Sequence, residues 1–208
     1  MVISNISESK KKTLDKSNQS SNLKHKTGIA LIWLLIISLS LLILESGNPF
    51  YSEPARDSGF FMFTGRELLR GKEIYTQIWD SKGPMIFFIN AFGFWLGAGS
   101  RWGLWFIELI MLIIDLRLMY LVLDHKWGHT VALFGITAGA FTLSTVFGKG
   151  NTVEEYSIFF STIGVFFYVM GITKEDHRFA DIMIGVSFAA SFHLRVNNIG
   201  IEAVIIAL

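Results

Sequence analysis

The sequence predicts an all-α protein, a polytopic membrane helix bundle with juxtamembrane helices on its extracytoplasmic side. Three observations predict it. Hydrophobic residues make up 51% of the 208 residues and charged residues only 17%, which is too apolar for an ordinary water-soluble domain. The apolar residues come in long runs. Glycine and phenylalanine are each present 19 times, a composition that suits packed membrane helices. The formal net charge of +1 implies no nucleic-acid partner, and the absence of cysteine excludes a disulfide framework, a thiolate nucleophile and a Cys-based metal site.

Residues 1–27 are expected to be a disordered cytoplasmic tail and 28–208 a transmembrane domain. The opening MVISNISESKKKTLDKSNQSSNLKHK carries six lysines against two acids and no apolar periodicity. It is too long and polar for a signal-peptide n-region. GIALIWLLIISLSLLIL (28–44) is uncharged and about long enough to cross a ~30 Å hydrocarbon core. The lysines before it place the N-terminus in the cytoplasm, and Gly47-Asn48-Pro49 ends it.

Residues 46–84 then form a long non-spanning segment outside. It holds five basic residues (Arg56, Arg66, Arg70, Lys72, Lys82) and five acids (Glu53, Asp57, Glu67, Glu73, Asp80), so local ion pairs or anionic ligands are expected. Asp57-Ser58 can cap a helix over about 59–70. Phe61, Gly65 and Leu68 share one face, while Arg66, Glu67 and Arg70 face elsewhere. Such a helix lies along the membrane surface, and Gly71 ends it. Residues 85–97 are apolar but short for a span, and read as a second surface helix or a span. Residues 102–123 are long enough to span. DHKWGH (124–129) follows as a loop, 130–147 spans, GKGNTVEEY (148–156) interrupts, 157–172 spans, and TKEDHR (173–178) makes a charged loop. The apolar stretches 182–194 and 199–208 are split by Arg195-Val196-Asn197-Asn198. With 85–97 on the surface, the first long segment, GKGNTVEEY and LRVNN all fall on the extracytoplasmic side.

Several polar residues could carry chemistry. Asp57 is either a helix cap or a general base at the membrane boundary. Lys82 either pairs with Asp80 or holds a lipid-headgroup phosphate. Glu154 and Glu155, at a helix start, either answer the helix dipole or position a hydroxyl or a divalent cation. Arg195, Asn197 and Asn198 fit either a short loop or broken backbone lining a polar cavity. Glu108 and Asp115 share a face of one span, with Arg117 near its end; a structural role inside the bundle is the main reading and a proton path the other. The His125–His129 spacing falls in a short loop and reads as chance. No Walker loop, Gly-x-Ser-x-Gly elbow or zinc signature is present.

The segment DSGFFMFTGRELLRGKEIYTQIWDSKGPMIFFINAFG resembles the first extracytoplasmic loop of integral-membrane glycosyltransferases of the C-type (GT-C) fold, in the protein O-mannosyltransferase and aminoarabinose-transferase superfamily. The matching features are Asp57, the helix over 59–70, Tyr75, Trp79-Asp80 and Lys82-Gly83-Pro84. NTVEEYSIFF and FHLRVNNIG resemble later motifs of that family. The chain has Asp-Ser where many relatives have Asp-Glu, and Lys-Gly-Pro for Lys-Pro-Pro. Such proteins are more than twice this long, so 28–208 is expected to be the N-terminal part of a GT-C fold, incomplete at its C-terminus.

The resemblance implies a cell-membrane enzyme that moves a sugar from a polyprenyl-phosphate donor to an acceptor hydroxyl, for an envelope or wall glycan. Asp57 would be the base, and Lys82 and Arg195 would hold the donor phosphate. Glu154, Glu155, Asn197 and Asn198 would position the acceptor or a divalent metal ion, with Asp80 and Arg66 as secondary candidates. Two alternatives stand beside it: a non-catalytic subunit that binds the lipid-linked sugar, and a small proton-coupled transporter using Glu108 and Asp115.

Overall fold

The computed structural model describes residues 26–50, 52–171 and 177–207. The expected tail, apart from Lys26 and Thr27, lies outside the described residues, as does most of the TKEDHR loop. The chain divides into two compact units, one ending at Ser38 and one running Leu39–Leu208. The division falls within the first helix, α1 (26–43), which a 3-10 turn extends to Gly47. The second unit continues with α2 (Arg56–Leu69), α3 (Met85–Leu96), α4 (Trp102–Trp127), α5 (His129–Phe147), α6 (Val153–Gly171), α7 (Arg178–Leu194) and α8 (Gly200–Ala207). No strand occurs among the described residues; an isolated bridge joins Ile74 and Ile78.

Among the described residues three helices are long and apolar enough to cross a membrane: Lys26–Gly47, α5 and α6. α5 shows how such a helix differs from a soluble one. Ala132, Ile136 and Ala140 are buried on one face, yet Phe134 and Phe141 are each 76% exposed on the other. A helix apolar all round needs lipid or protein on every side. α4 is longer, at 26 residues, but carries Glu108, Asp115 and Arg117. Both acids are buried.

Within the second unit α4 is central and packs on α3, α5 and α6. α2 packs on α3, and α6 on α7 and α8. α2 and α3 approach closely because Gly65 faces α3: a Cβ there would come within 2.7 Å of the Ala91 backbone nitrogen. Their junction with α6 and α7 is a core of Phe61, Ile86, Phe87, Val153, Tyr156 and Leu194.

Four expectations need correction. The first surface helix starts at Arg56, with extended Ala55 at its N-cap position, so Asp57 is in the first turn and is not the cap. Its carboxylate still sits at the positive end of the helix dipole. Second, DHKWGH is not a loop. Nothing before Gly128 breaks the helix, so α4 continues to Trp127 and the whole turn is Gly128, at φ 81°. The Tyr120 hydroxyl and His129 Nδ1, 2.6 Å apart, bridge the two helices. Third, the helices that carry the apolar stretches 157–172 and 182–194 begin earlier than expected, at Val153 and Arg178.

Fourth, Glu67 does not face outward with Arg66 and Arg70. It is buried, one turn on from Thr64 and two from Phe61, and its charge is met by Arg70 and Lys72, each at 2.5 Å. The backbone brings both cations there. Gly71, at φ 87°, closes α2 with Gly71 N–H donating to Leu68 O and Lys72 N–H to Glu67 O, the Schellman arrangement that favours glycine. Hydrogen bonds from Lys72 and then Arg70 hold the Glu67 carboxyl below the ordinary carboxylate range.

Two predictions follow from this architecture. Single cysteines placed at Lys126 and Lys149 flank α5, and the chain has no other cysteine. In sealed vesicles a membrane-impermeant maleimide should label them from opposite sides. Glu67→Gln should lower thermal stability at neutral pH. Because the folded-state pKa is depressed, that stabilisation is present above the unfolded value near 4.5 and disappears as pH falls through the folded value. Melting curves of the two proteins should therefore converge under strongly acidic conditions.

Candidate functional site

The site is built on the turn between α5 and α6. Gly148, Gly150 and Asn151 all have positive φ there, and asparagine is among the few side chains that accept this conformation. The turn delivers Asn151 into the interior. Asn90, from the middle of α3, and Asn151 exchange amide hydrogen bonds of 3.0 and 2.9 Å. Asn151 also donates to the Ser58 hydroxyl at 3.1 Å, and the Tyr156 hydroxyl donates to Asn151 Oδ1 at 3.1 Å. Tyr156 OH reaches Glu108 of α4 at 3.4 Å. One buried network thus joins α2, α3, α4 and α6.

Immediately after it, Thr152 and Glu155 form a capping box. Glu155 N–H donates to Thr152 Oγ1 at 3.1 Å, and Thr152 N–H points back at Glu155 Oε2 at 3.5 Å. Glu155 is thereby turned inward and buried, while Glu154 is left at the surface. Its carboxylate pairs with Arg195 at 3.1 Å. Arg195 is extended, φ −164°, in the break between α7 and a short 3-10 turn, Val196–Asn198. Asn198 donates to Ser157 Oγ of α6 at 2.8 Å.

The Lys82 loop comes to the same place. Gly83 N–H donates to Leu194 O at 3.1 Å, so Lys82 and Arg195 stand on residues that flank one interelement hydrogen bond. Only glycine allows it, since a Cβ at position 83 would overlap the His193 carbonyl. Asp80 accepts from Lys82 N–H at 2.8 Å and faces its ammonium at 3.8 Å. The ammonium also lies 5.7 Å from the Phe61 ring centroid. Tyr75, held at φ 68°, donates its hydroxyl to Lys82 O at 2.8 Å. Burial, and then the Asp80 charge, push the Tyr75 phenol above its ordinary range, so it stays a donor.

A groove of about 650 Å³ opens beside Glu154. Met119 and Leu123 of α4, Leu143 and Val146 of α5, and Ile158 and Val165 of α6 give it apolar walls; Glu154, Ser157 and Asn198 give it one polar region.

The structure therefore brings Lys82, Asp80, Arg195, Glu154 and Asn198 to one region. Asp57 is exposed, next to Ser58, whose docking on Asn151 fixes the first turn of α2. Asn197 is exposed. Arg66 lines different cavities, near Arg70 and Phe94. Glu154 and Glu155 point into different surroundings, and no group of three or more His, Cys, Asp or Glu among the described residues is placed to hold a metal ion. The sequence reading missed Ser58, Asn90, Asn151 and Tyr156. The signals were present: an amide inside the apolar run MIFFINAFG, and Thr-x-x-Glu opening an apolar run. It also missed fully buried Glu202, which accepts from Ser161 and Ser191 at 2.9 and 2.7 Å.

The chain matches no family model, no curated protein and no solved structure.

Buried and exposed polar contacts should respond differently to substitution. Asn151→Ala strands the Asn90 amide and should reduce stability by roughly 1–3 kcal/mol. Glu154→Gln breaks a pair in which both side chains are nearly half exposed, and should change stability by less than about 1 kcal/mol. Denaturation of the two variants in the same detergent compares them directly.

Proposed function

We propose that this chain belongs to a membrane glycosyltransferase that moves a sugar from a polyprenyl-phosphate donor to an acceptor hydroxyl on the extracytoplasmic side. One observation carries the reading. Two cations that are far apart in sequence, Lys82 and Arg195, stand on segments joined by the Gly83–Leu194 hydrogen bond, and Arg195 pairs with Glu154 on the rim of a groove whose walls are apolar. A long isoprenoid fits such walls, and its phosphate fits the cations.

The carboxylates now on those cations do not block that role. The Arg195–Glu154 pair is exposed and so is worth little in water. A phosphate that offers the guanidinium two oxygens replaces it at small cost. In the reaction Asp57 takes the proton of the acceptor hydroxyl. The hydroxyl oxygen bonds to the anomeric carbon as the carbon–oxygen bond to phosphate breaks, with inversion. The electron pair leaves on phosphate, where Lys82 and Arg195 stabilise the growing charge. Glu154 and Asn198, freed from their present partners, are placed to orient the acceptor.

A second reading is favoured by the position of Asp57, which no ion pair among the described residues ties to the Lys82–Arg195 region. It is a membrane subunit that binds the lipid-linked sugar without turnover. A labelled polyprenyl-phosphate sugar separates the two. The transferase reading expects Asp57→Asn to keep donor binding and lose at least a hundredfold in transfer, and Lys82→Gln/Arg195→Gln to weaken donor binding tenfold or more. Near wild-type transfer by Asp57→Asn removes the base assignment; binding without transfer by the wild-type protein selects the second reading.

A further inference from the structure

A second cationic site lies on the opposite edge of α2 from Phe61. We infer that the pocket enclosed by residues 53–54, α2 and the start of α4 binds a phosphate group, carried by a lipid or free in solution. The inference is independent of the reading above.

The argument starts from the charges. Of the basic residues in the first long loop beyond Arg56, Arg70 and Lys72 are answered by Glu67, and Lys82 by Asp80. Among the described residues Arg66 has no carboxylate within ion-pair distance. Its guanidinium rests 4.3 Å from the Phe94 ring centroid, which fixes it without neutralising it. Arg101, at the start of α4, donates from one terminal nitrogen to Ser52 O at 2.8 Å, and its Nε is buried without a hydrogen-bond partner. Arg66, Arg70 and Arg101 all line one pocket of about 350 Å³, and Arg66 and Arg70 also border an adjoining cavity with Phe94 and Trp95.

Such a convergence is unfavourable when empty. Arg66 and Arg70 are one turn apart on the same helix, the spacing at which like charges repel. Glu67 is committed to Arg70 and Lys72. The other carboxylate on the pocket wall is Glu53, which is exposed. The pocket lining holds three cations (Arg66, Arg70, Arg101) and two carboxylates (Glu53, Glu67). Guanidinium groups present paired donors that match the oxygens of phosphate, and an unused buried N–H is a donor in waiting. Pro54, Met62 and Phe63 supply apolar wall, while Phe63 and Trp95 are exposed. Arginine beside exposed aromatic side chains is the composition of a membrane–water boundary.

The test uses the full chain in detergent micelles, in a Lys82→Gln/Arg195→Gln background that removes the cations of the groove. Binding is measured with inorganic phosphate by calorimetry and with short-chain phosphatidylglycerol by native mass spectrometry, phosphatidylcholine serving as the zwitterionic control. The expected result is saturable binding of at least one anionic probe. It should weaken tenfold or more in Arg66→Gln and tighten several-fold in Glu53→Gln. The second change is a gain that misfolding does not imitate. Binding of inorganic phosphate identifies a free-phosphate site, and binding of phosphatidylglycerol alone identifies a headgroup site. Absence of anion-selective binding, or affinities that ignore both Arg66→Gln and Glu53→Gln, overturns the inference.

Discussion

The reciprocal amide bond between Asn90 and Asn151 is the constraint on which the rest of the arrangement depends. Both residues are buried, at 0% and 1% exposure. Each amide has two donors and an acceptor that must be satisfied away from water. The pair does this mutually and recruits Ile86 O, Ser58 and Tyr156 for what remains. Because an unpaired polar group in such surroundings is costly, the network stands or falls nearly as a unit. It reaches four helices, so it fixes the start of α6 relative to α2, α3 and α4. The capping box then decides which of two adjacent glutamates turns in and which turns out. Glu154 meets Arg195 because Glu155 is occupied with Thr152.

A contrast of energies runs through the structure. The polar contacts that build it are buried and directional. The ion pairs at the surface of the candidate site, Glu154–Arg195 and Asp80–Lys82, are partly exposed. The first kind resists exchange and the second permits it. Glu67 belongs to the first kind: a buried carboxylate held by two cations delivered by the same helix terminus, leaving Arg66 without a carboxylate. The scaffold is therefore fixed where it supports the loops and exchangeable where an anion would enter.

Much of the fold was legible because the signals were local. Apolar runs marked the helices, and Gly71 marked the end of α2. The break at 195–198 was readable from Arg, Asn and Asn between apolar stretches. What failed was equally physical. Asp124–Trp127 looks like loop because it is charged, but charge does not break a helix and only Gly128 does. Asp57 looks like a cap, but the chain enters α2 through Pro54 and extended Ala55. Glu67 reads as lying off the apolar face, but it is buried because Arg70 and Lys72, at and beyond the helix end, meet its charge. In the site, Lys82, Asp80, Glu154, Arg195 and Asn198 were individually visible as polar residues at the edges of apolar runs. Their convergence depends on a Gly83–Leu194 contact between distant segments, which no local pattern encodes. The Asn90–Asn151 pair was missed for the same reason: each half is an ordinary amide, and the meaning lies in the pairing.

The central claim is that the apolar groove between α4, α5 and α6 and the cations beside it act together on one amphipathic phosphate. Photo-crosslinking tests it most directly. A polyprenyl phosphate with a diazirine in its isoprenoid chain is irradiated with the full protein in membranes, and adducts are mapped by mass spectrometry. The account predicts adducts on groove-wall residues such as Val146, Ile158 and Val165, competed by unlabelled polyprenyl phosphate and much reduced for the corresponding polyprenol. Adducts spread over the outer faces of the helices, or equal yields from phosphate and alcohol, would contradict it.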